Sequence, residues 1–148
     1  MININIINDY GSGISFKNKS IKNLISNLLS QYSTAEGQVS IILSNKTLLN
    51  KLKKDYFNLN HFTDVITFNL EDDNQPLDGE IYISIDDVHE NSKKYNVSFD
   101  DEFKRVLIHG VLHVLGFDDK TQKEKKEMTK LENINMKLIS ERLIVINK

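Results

Sequence analysis

Residues 109 to 120 read HGVLHVLGFDDK. His109 and His113 stand four apart in an otherwise apolar run, in a chain that has only four histidines. On an α-helix that spacing puts two imidazoles on one face, nearly stacked. Two imidazoles so placed can bind one metal ion, and a third protein ligand would leave the fourth position to water or substrate. Gly116 ends the run and suits a left-handed turn; Phe117 and then Asp118 and Asp119 follow it. A carboxylate oxygen is a legitimate zinc ligand. With the glycine in register, His109, His113 and Asp119 match the positions of the zinc-protease pattern H-E-x-x-H-x-x-G-x-x-H, with aspartate in its last place. Gly110, however, stands where that pattern carries the glutamate that serves as general base. The spacing thus predicts a metal centre of His109, His113 and Asp119 that lacks the proton-handling group of peptide hydrolysis. The competing reading is a hydrogen-bonded pair of core histidines beside ordinary turn aspartates. The glycine stop and the aspartate at the ligand position favour the metal.

The chain has no cysteine, so disulfides, thiolate nucleophiles and cysteine zinc sites are excluded. A transition metal here has only histidine and carboxylate ligands to draw on. The general acid and base stay unassigned. Asp118 is the nearest candidate, set against its use as a turn residue. Asp64 opens a strand and reads as a structural hydrogen-bonding group. His61 and His89 have no partner pattern and read as surface or loop residues.

The elements that must position this site follow from periodicity. Residues 2–7, 38–44, 63–70 and 79–86 read as strands; in the last, Ile81, Ile83 and Ile85 share one face. Residues 16–32 carry Ile21, Leu24, Ile25, Leu28, Leu29 and Tyr32 at helical spacing, and residues 46–54 and 86–95 read as shorter helices. Ser98 looks like an N-cap, with Asp100, Asp101 and Glu102 in the first turn, where the helix dipole favours negative charge. The helix it opens bears both histidines and should be largely buried until Gly116 stops it. Thr121 with Glu124 has the spacing of a capping box for a last helix to about residue 139. The sum is an α+β fold: a mixed sheet of about four strands, with the metal-site helix packed on it.

A length of 148 residues fits one domain, 1–148, and its single proline, Pro76, lies in a loop between two strands. No apolar run reaches membrane-spanning length. MININIINDY lacks the basic flank and apolar core of a signal peptide, so a cytoplasmic protein is expected. The net charge of −2 does not advertise nucleic-acid binding. Basic residues do cluster near residue 17, at 51–54 and at 120–126, where the choice lies between solvated helix faces and a local grip on phosphates.

The run H-G-V-L-H-V-L-G-F-D-D resembles the signature of the YbeY family of bacterial ribosomal-RNA maturation endoribonucleases, usually H-G-x-L-H-L-x-G-Y-D-H. Two further stretches resemble it in order and separation. Thr63-Asp64-Val65-Ile66-Thr67-Phe68 is similar to its T-D-V-L-S-F strand, and Gly79-Glu80-Ile81-Tyr82-Ile83-Ser84 to its G-D-I-x-I-S strand. The resemblance spans roughly residues 38 to 132. It implies a metal-dependent hydrolase, zinc first, one ion per chain, that cuts single-stranded RNA. It also implies a role at the 3′ end of 16S ribosomal RNA and in ribosome quality control, with the small ribosomal subunit as partner and neither DNA nor membrane. His109 and His113 match the first two family ligands, and Asp119 stands at the third histidine. A carboxylate there is harder and adds negative charge, so other divalent metals come into reach. Many members also carry an RNA-facing arginine where this chain has Phe57; Lys53 or Lys54 is the nearest substitute, without arginine's fork.

Two other functions compete with an endoribonuclease. One is a metallopeptidase-like hydrolase, which Gly110 weakens. The other is a non-catalytic ribosome-assembly factor that keeps a structural metal, which Asp119 and Phe57 motivate.

Overall fold

The computed structural model describes residues 2–32, 36–57 and 64–146. In chain order the elements are β1 (Ile2–Asn8), β2 (Ile14–Phe16), α1 (Asn18–Gln31), β3 (Gly37–Ser44), α2 (Lys46–Phe57), β4 (Val65–Asn69), β5 (Leu77–Ser84), α3 (Ile85–Lys94), α4 (Phe99–Val114), α5 (Gln122–Lys137) and β6 (Ile144–Ile146). The α+β reading holds. Four strands form one mixed sheet in the order β1-β3-β5-β4, and β2 with β6 adds a small antiparallel pair. Neighbours β1, β3 and β5 run parallel, while β4 pairs antiparallel to β5 along the edge.

Strand alternation sorts the sheet into two faces. Val39, Ile41 and Leu43 of β3 and Ile81 and Ile83 of β5 are fully buried on one. Ile21, Leu24, Ile25, Leu28 and Leu29 of α1 join them in one core with Phe103, Leu107 and Val111 of α4. On the other face, Phe68 lies between Tyr56 of α2 and Tyr82 of β5, with ring centroids 5.4 and 5.8 Å away.

The helix α4, which bears His109 and His113, is set down on the sheet at close range. Gly110 makes this approach feasible, because a Cβ there would stand 2.8 Å from Ile81 Cγ2 and 3.3 Å from Val65 Cγ2. The residue that separates this chain from the protease pattern is therefore a packing requirement. The start of α4 is fixed twice. Ser98 Oγ accepts the Asp101 N–H at 3.0 Å. Asp100 Oδ1 accepts the Leu143 and Ile144 N–H groups at 2.7 and 2.9 Å, tying the C-terminal strand to the helix.

Candidate metal centre

The end of α4 explains how a third ligand reaches the histidines. The Phe117 N–H donates to Leu112 O, and the Gly116 N–H to His113 O, both at 3.0 Å. This is the Schellman pairing, with Gly116 in left-handed conformation at φ 105°. The chain reverses there and carries Asp119 back over the helix before Thr121 caps α5. That cap is a full capping box: Thr121 Oγ1 accepts the Glu124 N–H and Glu124 Oε1 accepts the Thr121 N–H.

The result is a triangle of donor atoms. His109 Nε2 and His113 Nε2 lie 3.1 Å apart. Asp119 Oδ2 is 3.5 Å from the first and 3.4 Å from the second. Around a tetrahedral ion with bonds of about 2.0–2.1 Å, ligand atoms are separated by about 3.3–3.4 Å. Two imidazoles and a carboxylate at these separations fit one divalent metal with an open fourth position. Among the described residues, this is the one group of three histidine or carboxylate ligands arranged so.

The other nitrogen of His109 is also held. His109 Nδ1 lies 2.7 Å from Glu132 Oε2. The Glu132 carboxylate is buried on α5, and its second oxygen accepts from Arg105 at 3.0 Å. Arg105 also donates to Asn133 Oδ1 at 2.9 Å. A carboxylate on Nδ1 leaves Nε2 as the nitrogen that can donate its lone pair, and it fixes the ring plane. Burial draws the His109 pKa down, but the hydrogen bond and charge of Glu132 outweigh it, so the pKa stands above its ordinary value.

The triangle has a cavity of about 140 Å³ beside it, between the start of β4, α4 and α5. Asp64, Glu102 and Arg105 are on its walls together with His109. Burial raises the pKa of Asp64, whose Oδ2 accepts from Asn91 Nδ2 at 3.3 Å. Burial, with the charge of Asp64, pushes Glu102 up to about 7.

The structure thus brings His109, His113 and Asp119 together. Asp118 is excluded from the triangle: its Oδ1 accepts the Asp119 N–H at 3.1 Å, and Lys120 stands 3.9 Å from Oδ2. Asp64 makes the structural hydrogen bond expected of it, but it also faces the cavity. His89 is exposed on α3 with its ring 4.8 Å from Phe99, and His61 lies outside the described residues. Lys53 is half-buried and Lys54 exposed on α2; the Phe57 side chain lies outside the described residues. Sequence reasoning missed Glu132, Arg105 and Glu102. For Glu132 a signal existed: it shares the buried stripe of α5 with Met128 and Asn135, a charge on an inward face.

The chain is similar to known proteins along most of its length. The family described as Endoribonuclease YbeY matches residues 6–140. A relative named Endoribonuclease YbeY from Amoebophilus asiaticus is 39% identical over 118 residues, 80% of each chain. One of the same name from Karelsulcia muelleri is 42% identical over 108 residues, 72% of this chain and 75% of the relative. A solution structure of a protein from Thermotoga maritima is similar with a TM-score of 0.62 at 28% identity. It covers 93% of this chain and 87% of that one.

Proposed function

The chain belongs to the YbeY family and is an RNA-cleaving hydrolase, and from that premise we propose that it cuts single-stranded RNA with one divalent metal, zinc first, held by His109, His113 and Asp119. The observation that carries this is the triangle of donor atoms with sides of 3.1, 3.4 and 3.5 Å. When bound, a divalent metal there supplies Lewis acidity to a phosphoryl oxygen and lowers the pKa of a coordinated water. The chain's own residues do the rest. Glu132 holds His109 in one tautomer and orientation. Arg105 pairs with the Glu132 carboxylate in its buried place. The Schellman turn keeps Asp119 over the helix.

We assign the chain to ribosomal-RNA maturation at the 3′ end of 16S ribosomal RNA and to ribosome quality control, with the small subunit as partner and the cytoplasm as its location. The support is the resemblance of the three sequence blocks and the family match. Among the described residues no helix is long and apolar enough to cross a membrane. One core, shared by the four-stranded sheet and the β2–β6 pair, supports reading 1–148 as a single domain. A metallopeptidase reading is weakened, because Gly110, packed against Ile81 and Val65, stands where the protease pattern carries its general-base glutamate.

The test is cleavage of an end-labelled single-stranded RNA and of the same RNA in a duplex, with metal-loaded protein. Wild type should cut the single strand. His113→Ala should lose several kcal/mol of transition-state stabilisation, on the order of 100-fold or more in rate. A wild type that leaves RNA intact, while a folded His113→Ala variant supports 16S maturation in cells, would put the assembly-factor reading in its place.

A further inference from the structure

We propose that the cavity beside His109 is a nucleobase subsite, which accepts the base of a nucleotide near the scissile phosphate and favours cytosine over uracil. The inference rests on the reading that single-stranded RNA runs past the metal centre.

The position of the cavity comes first. His113, His109, Val106 and Glu102 are spaced four, three and four residues apart, which places them on one face of α4. They form a stripe with the metal ligands at one end and Glu102 at the other. The edge of β4 borders this stripe on one side, where Val65 faces Gly110. α5 borders it on the other, where Glu132 meets both Arg105 and His109. Glu102 precedes His109 by two helical turns, about 10 Å along the axis. Roughly one to three nucleotides cover that distance, at about 3.4 Å per nucleotide in a stacked strand and more in an extended one. A strand with its phosphate at the metal therefore has a neighbouring base within reach of the cavity.

Its chemistry comes second. About 140 Å³ is room for one planar ring. Val65 and Val106 give the cavity apolar walls for the faces of a ring. Glu102 is 94% buried by its 6% exposure, yet no hydrogen bond holds its carboxyl among the described residues. Its carboxyl lines the cavity and is open there to the donor of a ligand. Asp64 lies on the same wall and offers an acceptor. Carboxyl oxygens accept from the exocyclic amino group of cytosine; uracil has a carbonyl oxygen at that place. Ionised, the carboxyl only accepts, which suits the amino group of cytosine and not the carbonyl oxygen of uracil. Single-stranded RNA is read in this manner, by bases splayed into pockets and bonded along their edges.

The test is equilibrium binding of the full chain to fluorescent octamers of 2′-O-methyl cytidine and of 2′-O-methyl uridine, which differ at that base edge and resist cleavage. Wild type should bind the cytidine octamer at least about fivefold more tightly, the lower end for one well-formed base pair of hydrogen bonds. Glu102→Met fills the same volume without polar atoms and should bring the two affinities within about twofold of each other. Glu102→Gln, checked by a cooperative melting curve, should keep a reduced preference. Equal affinities in wild type, or an unchanged ratio in Glu102→Met, would overturn the subsite. Cleavage is scored separately: RNA cutting without a cytosine preference removes the subsite and leaves the endoribonuclease, and a preference without cutting does the reverse.

Discussion

Glu132 shows what one side chain does for the residue it touches. Its carboxylate is 2.7 Å from His109 Nδ1 and is itself held by Arg105. A neutral amide in its place would keep the shape and lose the charge that raises the basicity of the imidazole. Glu132→Gln should therefore weaken metal binding by about 10–100-fold, read by competition with a chromophoric chelator, while the melting curve of the metal-free protein changes little. Unchanged affinity would reduce Glu132 to a packing group. Glu102 makes a different prediction, about pH. Its folded pKa is about 7 against an ordinary 4.5. Between these values the folded state binds more protons than the unfolded one, so stability falls as pH rises through the window and levels off above it. At about 1.4 kcal/mol per pH unit the loss is on the order of 3 kcal/mol. Glu102→Gln should be neutral at pH 4 and more stable than wild type at pH 8 in urea unfolding. A constant difference across that range would show that the carboxyl is not shielded as its burial implies. Glu102 was not legible from the sequence, and Glu132 only through its place on the inward stripe of α5 with Met128 and Asn135. Glu102 reads as one of three acids in a helix's first turn, and Glu132 as one charge among many on a lysine-rich helix; only the docking of α4, α5 and β4 turns both inward.

At the scale of elements, the spacing of apolar residues and the capping residues carried most of the information. Helix 16–32 became α1 at Asn18–Gln31, and the Thr121 helix became α5 at Gln122–Lys137, with its capping box formed as its residues imply. These signals are local, so they survive in the sequence. The three-residue strands β2 and β6 were not foreseen, because each is too short to show a period and gains its pairing from a partner some 130 residues away. Gly110 was legible only as a missing glutamate; its reason is the sheet beneath it. Gly110→Ala tests that reason. In an open helix the change would gain about 1 kcal/mol. Here the new methyl would stand 2.8 Å from a branched, fully buried Ile81, and overpacking costs typically about 1–3 kcal/mol. The melting temperature should drop by a few degrees; a rise would mean that α4 is free to lift from the sheet.

At the scale of the whole molecule, the metal should act as a staple across the C-terminal half of the chain. Two ligands are on α4 and the third follows the turn toward α5, while Glu132 of α5 returns to both Arg105 and His109. An ion in the triangle therefore binds a geometry that exists only when α4, its turn and α5 are docked, and an ion that binds only the folded state stabilises it by mass action. At a free concentration 100 times the dissociation constant the gain is about 2.7 kcal/mol. For a chain of this size each kcal/mol moves the melting temperature by about 2–4 °C. Zinc should thus raise the melting temperature of chelator-treated wild type by about 5–11 °C. His113→Ala, with one imidazole gone, should not respond over the same range, and Asp119→Ala should respond only at higher zinc. Backbone amide exchange separates this from nonspecific stabilisation: added protection should concentrate in α4, the turn and α5, leaving β1 and α1 unchanged. Equal shifts in all three proteins would place the zinc elsewhere and dissolve the centre, whatever the family to which the chain belongs.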